Sequence, residues 1–207
     1  VWHAHAAHTR RGINNLVFMG TGEPLLNYDN LKAAIAIMAD PAGMGIGARH
    51  MTISTVGVAQ GVRALAADMP QVNLAVSLHA TTDILRDKLI AHCPSRIEDL
   101  MAALGEYVAR SPRRVTFEYV MLRDINDGQA DAAGLALLAR RIKAQVNLIP
   151  YNRVAGMHYG ATEGAGVRRF VAALAAHKVT ATVRMRKGDD ISAACGQLRR
   201  TGITPMR

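Results

Sequence analysis

Asn14–Asn27 reads NNLVFMGTGEPLLN, and how this stretch is read decides the fold. Leu16, Val17, Phe18 and Met19 form a short apolar run bounded by turn residues, the pattern of a buried strand. The run stops at Gly20-Thr21-Gly22, where glycine opens backbone angles closed to other residues. Glu23 and Pro24 follow. A carboxylate just past the carboxyl end of a buried strand stands where α/β folds place their ligands. Pro24, with a fixed φ and no N–H, stiffens the backbone beside it. A carboxylate held this way among backbone carbonyls is a receptor for an ammonium group. The competing reading is a strand followed by a solvated acidic turn.

The same alternation of strand and helix continues outward. Residues 1–11 read as a helix stopped by Gly12. Asn27 stands where it can cap a helix over 28–40, with Leu31, Ala34, Ile35 and Met38 on one stripe. Met51–Thr55 alternates as a strand that ends at Gly57, and Val58, Val62, Leu65 and Ala66 mark the next helix. Val72–His79 is a third strand and Asp83–Ile90 a short helical segment. Ser95 and Glu98 have capping-box spacing ahead of a helix that carries Ile97, Leu100, Met101 and Leu104 on one face. Val115–Leu122 is the clearest strand; a helix near 131–143, a strand at 145–150, a helix at 164–177 and a strand at 179–184 complete the series. The class is α/β, with a parallel sheet covered by helices; periodicity does not choose between a barrel and a doubly wound sheet.

The 207 residues, 50% hydrophobic and 20% charged, suit one domain with a substantial core. No apolar run approaches the ~18 residues of a membrane span, so no membrane partner is expected. Two cysteines, Cys93 and Cys195, lie far apart. That is no disulfide framework, and a reducing cytoplasm is the expected compartment. A net charge of +9 and a pI near 10.2 favour a polyanionic partner, nucleic acid first, while 4% aromatics argue against a base-stacking surface. His3, His5 and His8 could suggest a metal site, but His-x-His shares a face on a strand and diverges on the helix read here, which argues against one.

Strand ends collect the candidate chemistry. Gly22 and Glu23 follow the first strand, Ser54 and Thr55 close the second, Ser77-Leu78-His79 the third, and Tyr151-Asn152 the fifth. This is a hydrogen-bonding set for a polar ligand with hydroxyls and an ammonium, and it is poor in general acids and bases. The face of Glu118, in mid-strand, is not legible. Near the end, Cys195 lies among small residues in GDDISAACGQL behind Arg184, Arg186 and Lys187, a setting that favours an accessible thiolate.

GTGEPLLN, ARHMTISTVGV, AVSLHA, TFEYVMLRDINDG, NLIPYN and RKGDDISAACGQL, in this order and spacing, resemble the RlmN/Cfr family of radical S-adenosylmethionine (SAM) RNA methyltransferases over residues 12–198, with the RlmN branch the closer. The resemblance implies a partial (β/α)6 barrel of the radical SAM type over 1–207, ending in a methyl-carrier cysteine segment at 188–207. It implies SAM contacts at Gly22, Glu23, Ser54, Ser77, Leu78, His79 and Asn152, with the SAM amino group at the Gly-Glu-Pro segment. Cys195 matches the cysteine that carries the methyl group. In the family a second SAM is cleaved at a [4Fe–4S] cluster, the resulting radical activates the S-methyl group, and the carbon adds to C2 of an adenine in 23S rRNA or tRNA. C2 is an electron-poor ring carbon with no nucleophile to offer, which is why a radical route is needed.

The family's Cys-x-x-x-Cys-x-x-Cys cluster loop and its release cysteine are not found in these 207 residues. Two distant cysteines do not supply a cluster, so no metal ligand is assigned. The expectation is a C-terminal portion of a longer protein, with the first barrel strand and cluster loop missing, monomeric, served by an electron donor and inactive alone. Thr21 stands where the family usually has Met. The rivals are a non-catalytic SAM- or RNA-binding remnant and, further off, a metal-dependent barrel hydrolase using the N-terminal histidines.

Overall fold

A computed structural model describes residues 13–20, 22–152 and 158–184. The N-terminal histidines, Cys195 and the 188–207 segment lie outside the described residues. Six parallel strands are laid side by side in chain order: β1 (Leu16–Phe18), β2 (Met51–Thr55), β3 (Asn73–Ser77), β4 (Val115–Met121), β5 (Gln145–Pro150) and β6 (Ala181–Val183). Between them run α1 (Tyr28–Ala39), α2 (Ala59–Asp68), α3 (Asp83–Leu89), α4 (Ile97–Arg110), α5 (Gln129–Arg141) and α6 (Gly164–Ala176). Every crossover steps the same way along the sheet. Because such crossovers are right-handed, the helices all fall on one face. A doubly wound sheet would reverse its strand order, and this one does not. The partial-barrel architecture therefore stands.

The two faces can be read from β4. Val115, Phe117, Tyr119 and Met121 are fully buried under the helices, while Thr116, Glu118 and Val120 on the opposite face are half-buried. Register carries that second face across the sheet as polar rows. Ser54 pairs with Ala75 and Ala75 with Thr116; Ser77 pairs with Glu118, Glu118 with Asn147, and Asn147 with Thr182. A parallel sheet normally covers both faces with apolar contacts. Here the open face is polar and is the natural floor of a binding site.

Burial on the helix side joins Ile53, Leu65, Leu74, Val76, Leu100, Leu104, Phe117, Tyr119, Leu135, Leu148 and Leu174 into one core. Each such side chain contributes roughly 1.5–3 kcal/mol on leaving water. Tyr107, buried within it, satisfies its hydroxyl by donating to the Val72 carbonyl. A Cβ on Gly61 of α2 would lie 2.7 Å from Leu25 Cβ, so the glycine lets α2 press against the turn that follows β1. Gly61→Ala is expected to lower stability by about 1–2 kcal/mol, overpacking outweighing the helix-propensity gain. Thermal unfolding checks this, and an unchanged midpoint would contradict it.

Three local expectations need correction. β1 is not fully buried: Val17 is 55% and Met19 45% exposed, because β1 is an edge strand and these residues project on the open face. Asn27 occupies the N-cap position of α1 but makes no capping bond; its Oδ1 accepts from Asn30 Nδ2 at 2.6 Å. Ser95 and Glu98 do not form a capping box. Tertiary partners capture both: Ser95 Oγ accepts from Ala59 N at 3.1 Å, Glu98 takes a forked bond from Arg141, and Asp83 Oδ1 accepts from Ile97 N at 2.8 Å instead.

Candidate functional site at the carboxyl ends of the strands

All six strands point the same way, so the segments that follow them share one rim. Glu23 is built into that rim by its own sequence. Gly20 and Gly22 have φ of +81° and +102°, angles that let the chain fold back after β1. Among the described residues no atom would obstruct a Cβ on Gly22, and the requirement seen there is the backbone angle. Pro24 then starts a 3-10 turn over Pro24–Asn27, for which Glu23 is the N-cap. Glu23 Oε1 accepts from Leu25 N at 3.0 Å and from Thr55 Oγ1 at 2.7 Å; Oε2 accepts from Val56 N at 2.7 Å. A carboxylate oxygen offers about two lone-pair sites. Among the described residues Oε1 is therefore filled and Oε2 keeps one, which narrows the ammonium receptor to a single oxygen of fixed orientation.

His79 is the second fixed group. β3 ends at Ser77, and Leu78 N still bonds the Glu118 carbonyl at 3.0 Å, with the Leu78 side chain fully buried. His79 then turns to φ +56°, so it does not share a strand face with Ser77 as simple alternation would have it. Its Nδ1 accepts from Val120 N at 3.2 Å. The ring is thus the neutral tautomer with its proton on Nε2. Burial, with the Arg86 charge adding to it, pushes its pKa down to about 4. The left-handed turn is held by Asn126, whose Nδ2 donates to the carbonyls of His79 and Val120, both at 2.8 Å, and whose Oδ1 accepts from Leu122 N at 2.7 Å.

The open face supplies the floor. Ser54 is 9% exposed and Ser77 half-buried. Glu118 sits on this face beside Ser77, its Oε2 accepting from Asn147 Nδ2 at 2.8 Å. Burial pushes its carboxyl above the usual range, against the Asn147 bond and the Arg184 charge. A carboxyl so raised favours the folded chain below its unfolded pKa and loses that contribution as pH rises through its folded pKa. Glu118→Gln is therefore expected to be more stable than the parent near pH 7, with the gain vanishing as pH falls through the carboxylate range. Urea midpoints at the two pH values would show it, and a pH-independent difference would contradict it.

At the far side, Tyr151 packs edge-on against Tyr159, ring centres 6.0 Å apart. The Tyr151 hydroxyl and Asn152 Oδ1 are buried without a partner among the described residues. Orphaned buried polar atoms at a rim fit a polar ligand that would supply the missing bonds. A cavity of about 580 Å³ is lined by residues that include Pro150, Thr162, Glu163 and Arg184. The rim thus brings together Gly22, Glu23, Ser54, Ser77, His79 and Asn152, while Leu78 offers only its backbone. The Val56 amide, Asn126 and the facing of Glu118 were not assigned from sequence, and Thr55, placed there in the strand-end set, bonds Glu23. Asn126 had a signal, being a polar residue in a short loop directly after the clearest strand.

An iron–sulfur cluster does not fit these residues. Among the described residues no group of three or more His, Cys, Asp or Glu is arranged to hold a metal ion. Cys93 Sγ is engaged with Arg86 Nη1 at 2.8 Å.

Comparison with known proteins agrees with this fold. The Radical SAM superfamily matches residues 3–136, and the chain belongs to that superfamily. It is 46% identical over 188 residues to the probable dual-specificity RNA methyltransferase RlmN of Moorella thermoacetica, covering 90% of this chain and 53% of that one. With the dual-specificity RNA methyltransferase RlmN of Anaeromyxobacter dehalogenans it shares 46% identity over 193 residues, 93% of this chain and 52% of the other. The crystal structure of a radical SAM methyltransferase from Sphaerobacter thermophilus superposes with a TM-score of 0.88 at 42% identity, over 94% of this chain and 57% of that one. The chain spans about half the length of the curated relatives it matches.

Proposed function

We propose that this chain is the SAM-binding and methyl-carrying part of an RNA methyltransferase that modifies C2 of adenine in 23S rRNA and tRNA. The observation that carries the reading is the rim itself: a carboxylate with one open acceptor site, two serines, a neutral histidine and an orphaned asparagine oxygen, each at a family motif position. Glu23 Oε2 receives the ammonium of SAM; Ser54, Ser77, the Leu78 backbone, His79 and Asn152 take its remaining polar groups, and Gly22 lets the turn approach. SAM supplies an electrophilic methyl group when bound. Cys195 offers the thiolate that accepts the methyl, the sulfur–methyl bond forming as the sulfonium bond breaks, as covalent catalysis by a cysteine requires. RNA phosphates lie against the basic tail of Arg184, Arg186, Lys187, Arg199 and Arg200, of which Arg184 is among the described residues and exposed.

The chain acts as a monomer in the cytoplasm, with an electron donor, and depends on cluster thiolates that its two cysteines do not provide. A chimera in which this chain replaces the matching part of the Moorella thermoacetica relative tests the reading. Reconstituted with iron, sulfide, SAM and reductant, it is expected to form 2-methyladenosine in RNA. The chain alone and a Cys195→Ala chimera are expected to form none. A folded chimera without product would speak against the function, and product from the chain alone would overturn the division of labour.

A further inference from the structure

Arg86, on α3, is fully buried, yet it forms no salt bridge among the described residues. The nearby carboxylates are committed elsewhere. Asp83 Oδ1 takes the Ile97 amide at 2.8 Å, and Asp87 Oδ2 pairs with Arg96 Nη1 at 2.7 Å. Arg86 Nη1 donates to Cys93 Sγ at 2.8 Å and to the Ser95 carbonyl at 2.9 Å, while Nη2 donates to the Val56 carbonyl. Leaving a guanidinium buried with neutral partners alone is costly, because it keeps its charge at every accessible pH.

The peptide that Arg86 grips leads to Glu23. The Val56 carbonyl and the Gly57 N–H belong to one peptide unit. Gly57 N donates to Thr55 Oγ1 at 2.9 Å, and Thr55 Oγ1 donates to Glu23 Oε1 at 2.7 Å. Each step runs donor to acceptor in the same direction, from a cation to a carboxylate. Such a series polarises each bond through the next in a low-dielectric setting. Gly57 keeps the path open: its φ is +99°, and a Cβ there would lie 3.1 Å from Arg86 Nη2 and 2.7 Å from Leu100 Cδ2. Glu23 Oε2 is fixed in parallel by Val56 N, from the same turn.

We infer that Arg86 is a positioning residue for Glu23, acting through the Val56–Gly57 peptide and the Thr55 hydroxyl to orient the carboxylate and stabilise its charge for an ammonium ligand. The inference rests on the reading of Glu23 as the receptor for the SAM amino group. A buried arginine that merely stapled the loop at 92–95 to the core would add stability and leave ligand discrimination alone. The relay ties it to one functional group of one ligand.

The test titrates the 207-residue chain with SAM and with the analogue whose α-amino group is replaced by hydrogen. Wild type is expected to prefer SAM. Arg86→Met should cut that preference about fivefold, the scale of losing charge-assisted bonding, while affinity for the deaminated analogue stays within about twofold. Thr55→Val severs the same chain at the hydroxyl and should also cut it; the double variant should go no lower than Thr55→Val alone. Equal losses for both ligands, or strictly additive effects, would overturn the relay. A wild-type chain that shows no preference, or binds neither ligand, overturns the ammonium reading of Glu23 instead. The relay is then judged from the Gly57 amide proton, which should move upfield in Arg86→Met and whose constancy would refute it. Should Arg86→Met fail to fold, a trans-hydrogen-bond coupling between the Arg86 guanidinium nitrogen and the Val56 carbonyl carbon in wild type supports the relay, and its absence overturns it.

Discussion

Asn126→Leu is expected to lower the unfolding free energy by about 3–5 kcal/mol, the largest effect of a single substitution at the rim. Leucine matches the branched heavy-atom shape of asparagine, with bulkier methyl groups, but brings no polar atoms. Three backbone groups then lose their partner inside the protein: the carbonyls of His79 and Val120, and the Leu122 amide. Asn126 is fully buried, so water does not replace the amide, and each orphan costs about 1–3 kcal/mol before relaxation. The Asn126 carbonyl keeps its bond from the Tyr119 hydroxyl at 2.8 Å, since it belongs to the backbone. Chemical denaturation would measure the loss, and a value under about 1 kcal/mol would contradict this account. The same variant should loosen His79, because the Asn126 amide holds the carbonyl of that left-handed turn.

Acid should destabilise the chain earlier than its carboxylates alone would. His79 has its pKa pushed down to about 4 in the folded chain, against an ordinary value of 6.5. A group depressed on folding contributes stability above its unfolded pKa and loses it as pH falls through the folded one. The window is therefore pH 6.5 down to 4. The loss across it is on the order of 2–3 kcal/mol, from about 1.4 kcal/mol per pKa unit with allowance for partial exposure. The Val120 amide explains the direction in structural terms: protonating Nδ1 would set two donors face to face. His79→Asn, with a side chain that tolerates positive φ, should flatten the profile. Glu118 acts in the opposite sense as pH falls, so comparison in a Glu118→Gln background isolates the histidine. A parent curve that stays level from pH 6.5 to 4 would contradict the assignment.

What was legible in the chain were features written locally. The alternation of Val115–Met121 and the apolar stripes of α1 and α4 depend on near neighbours, and the structure reproduces them within a few residues. Parallel strands put their carboxyl ends on one rim, so the positions of Glu23, Ser54, Ser77 and Asn152 followed from element order. Tertiary competition was not legible. Ser95 and Glu98 have the spacing of a capping box, but Ala59 and Arg141 capture them from across the molecule. The role of Arg86 does not show in local pattern, because its Val56 partner lies 30 residues away, and the place of Asn126 after the clearest strand does not reveal its His79 partner 47 residues away. The left-handed turn at His79 breaks strand alternation where the proposed ligand-binding residues begin, as strained backbone at functional sites tends to do.

The most direct test of the central claim is a titration of the ¹⁵N-labelled 207-residue chain with SAM, followed amide by amide. The account predicts that saturable shifts gather on Gly22, Glu23, Ser54, Ser77, Leu78, His79 and Asn152, at the carboxyl ends of the strands, and that Glu23→Leu weakens them at least tenfold, the scale of losing a charged hydrogen-bond partner. Shifts gathered on the helix-covered side, or no saturable shift at the rim, would contradict it.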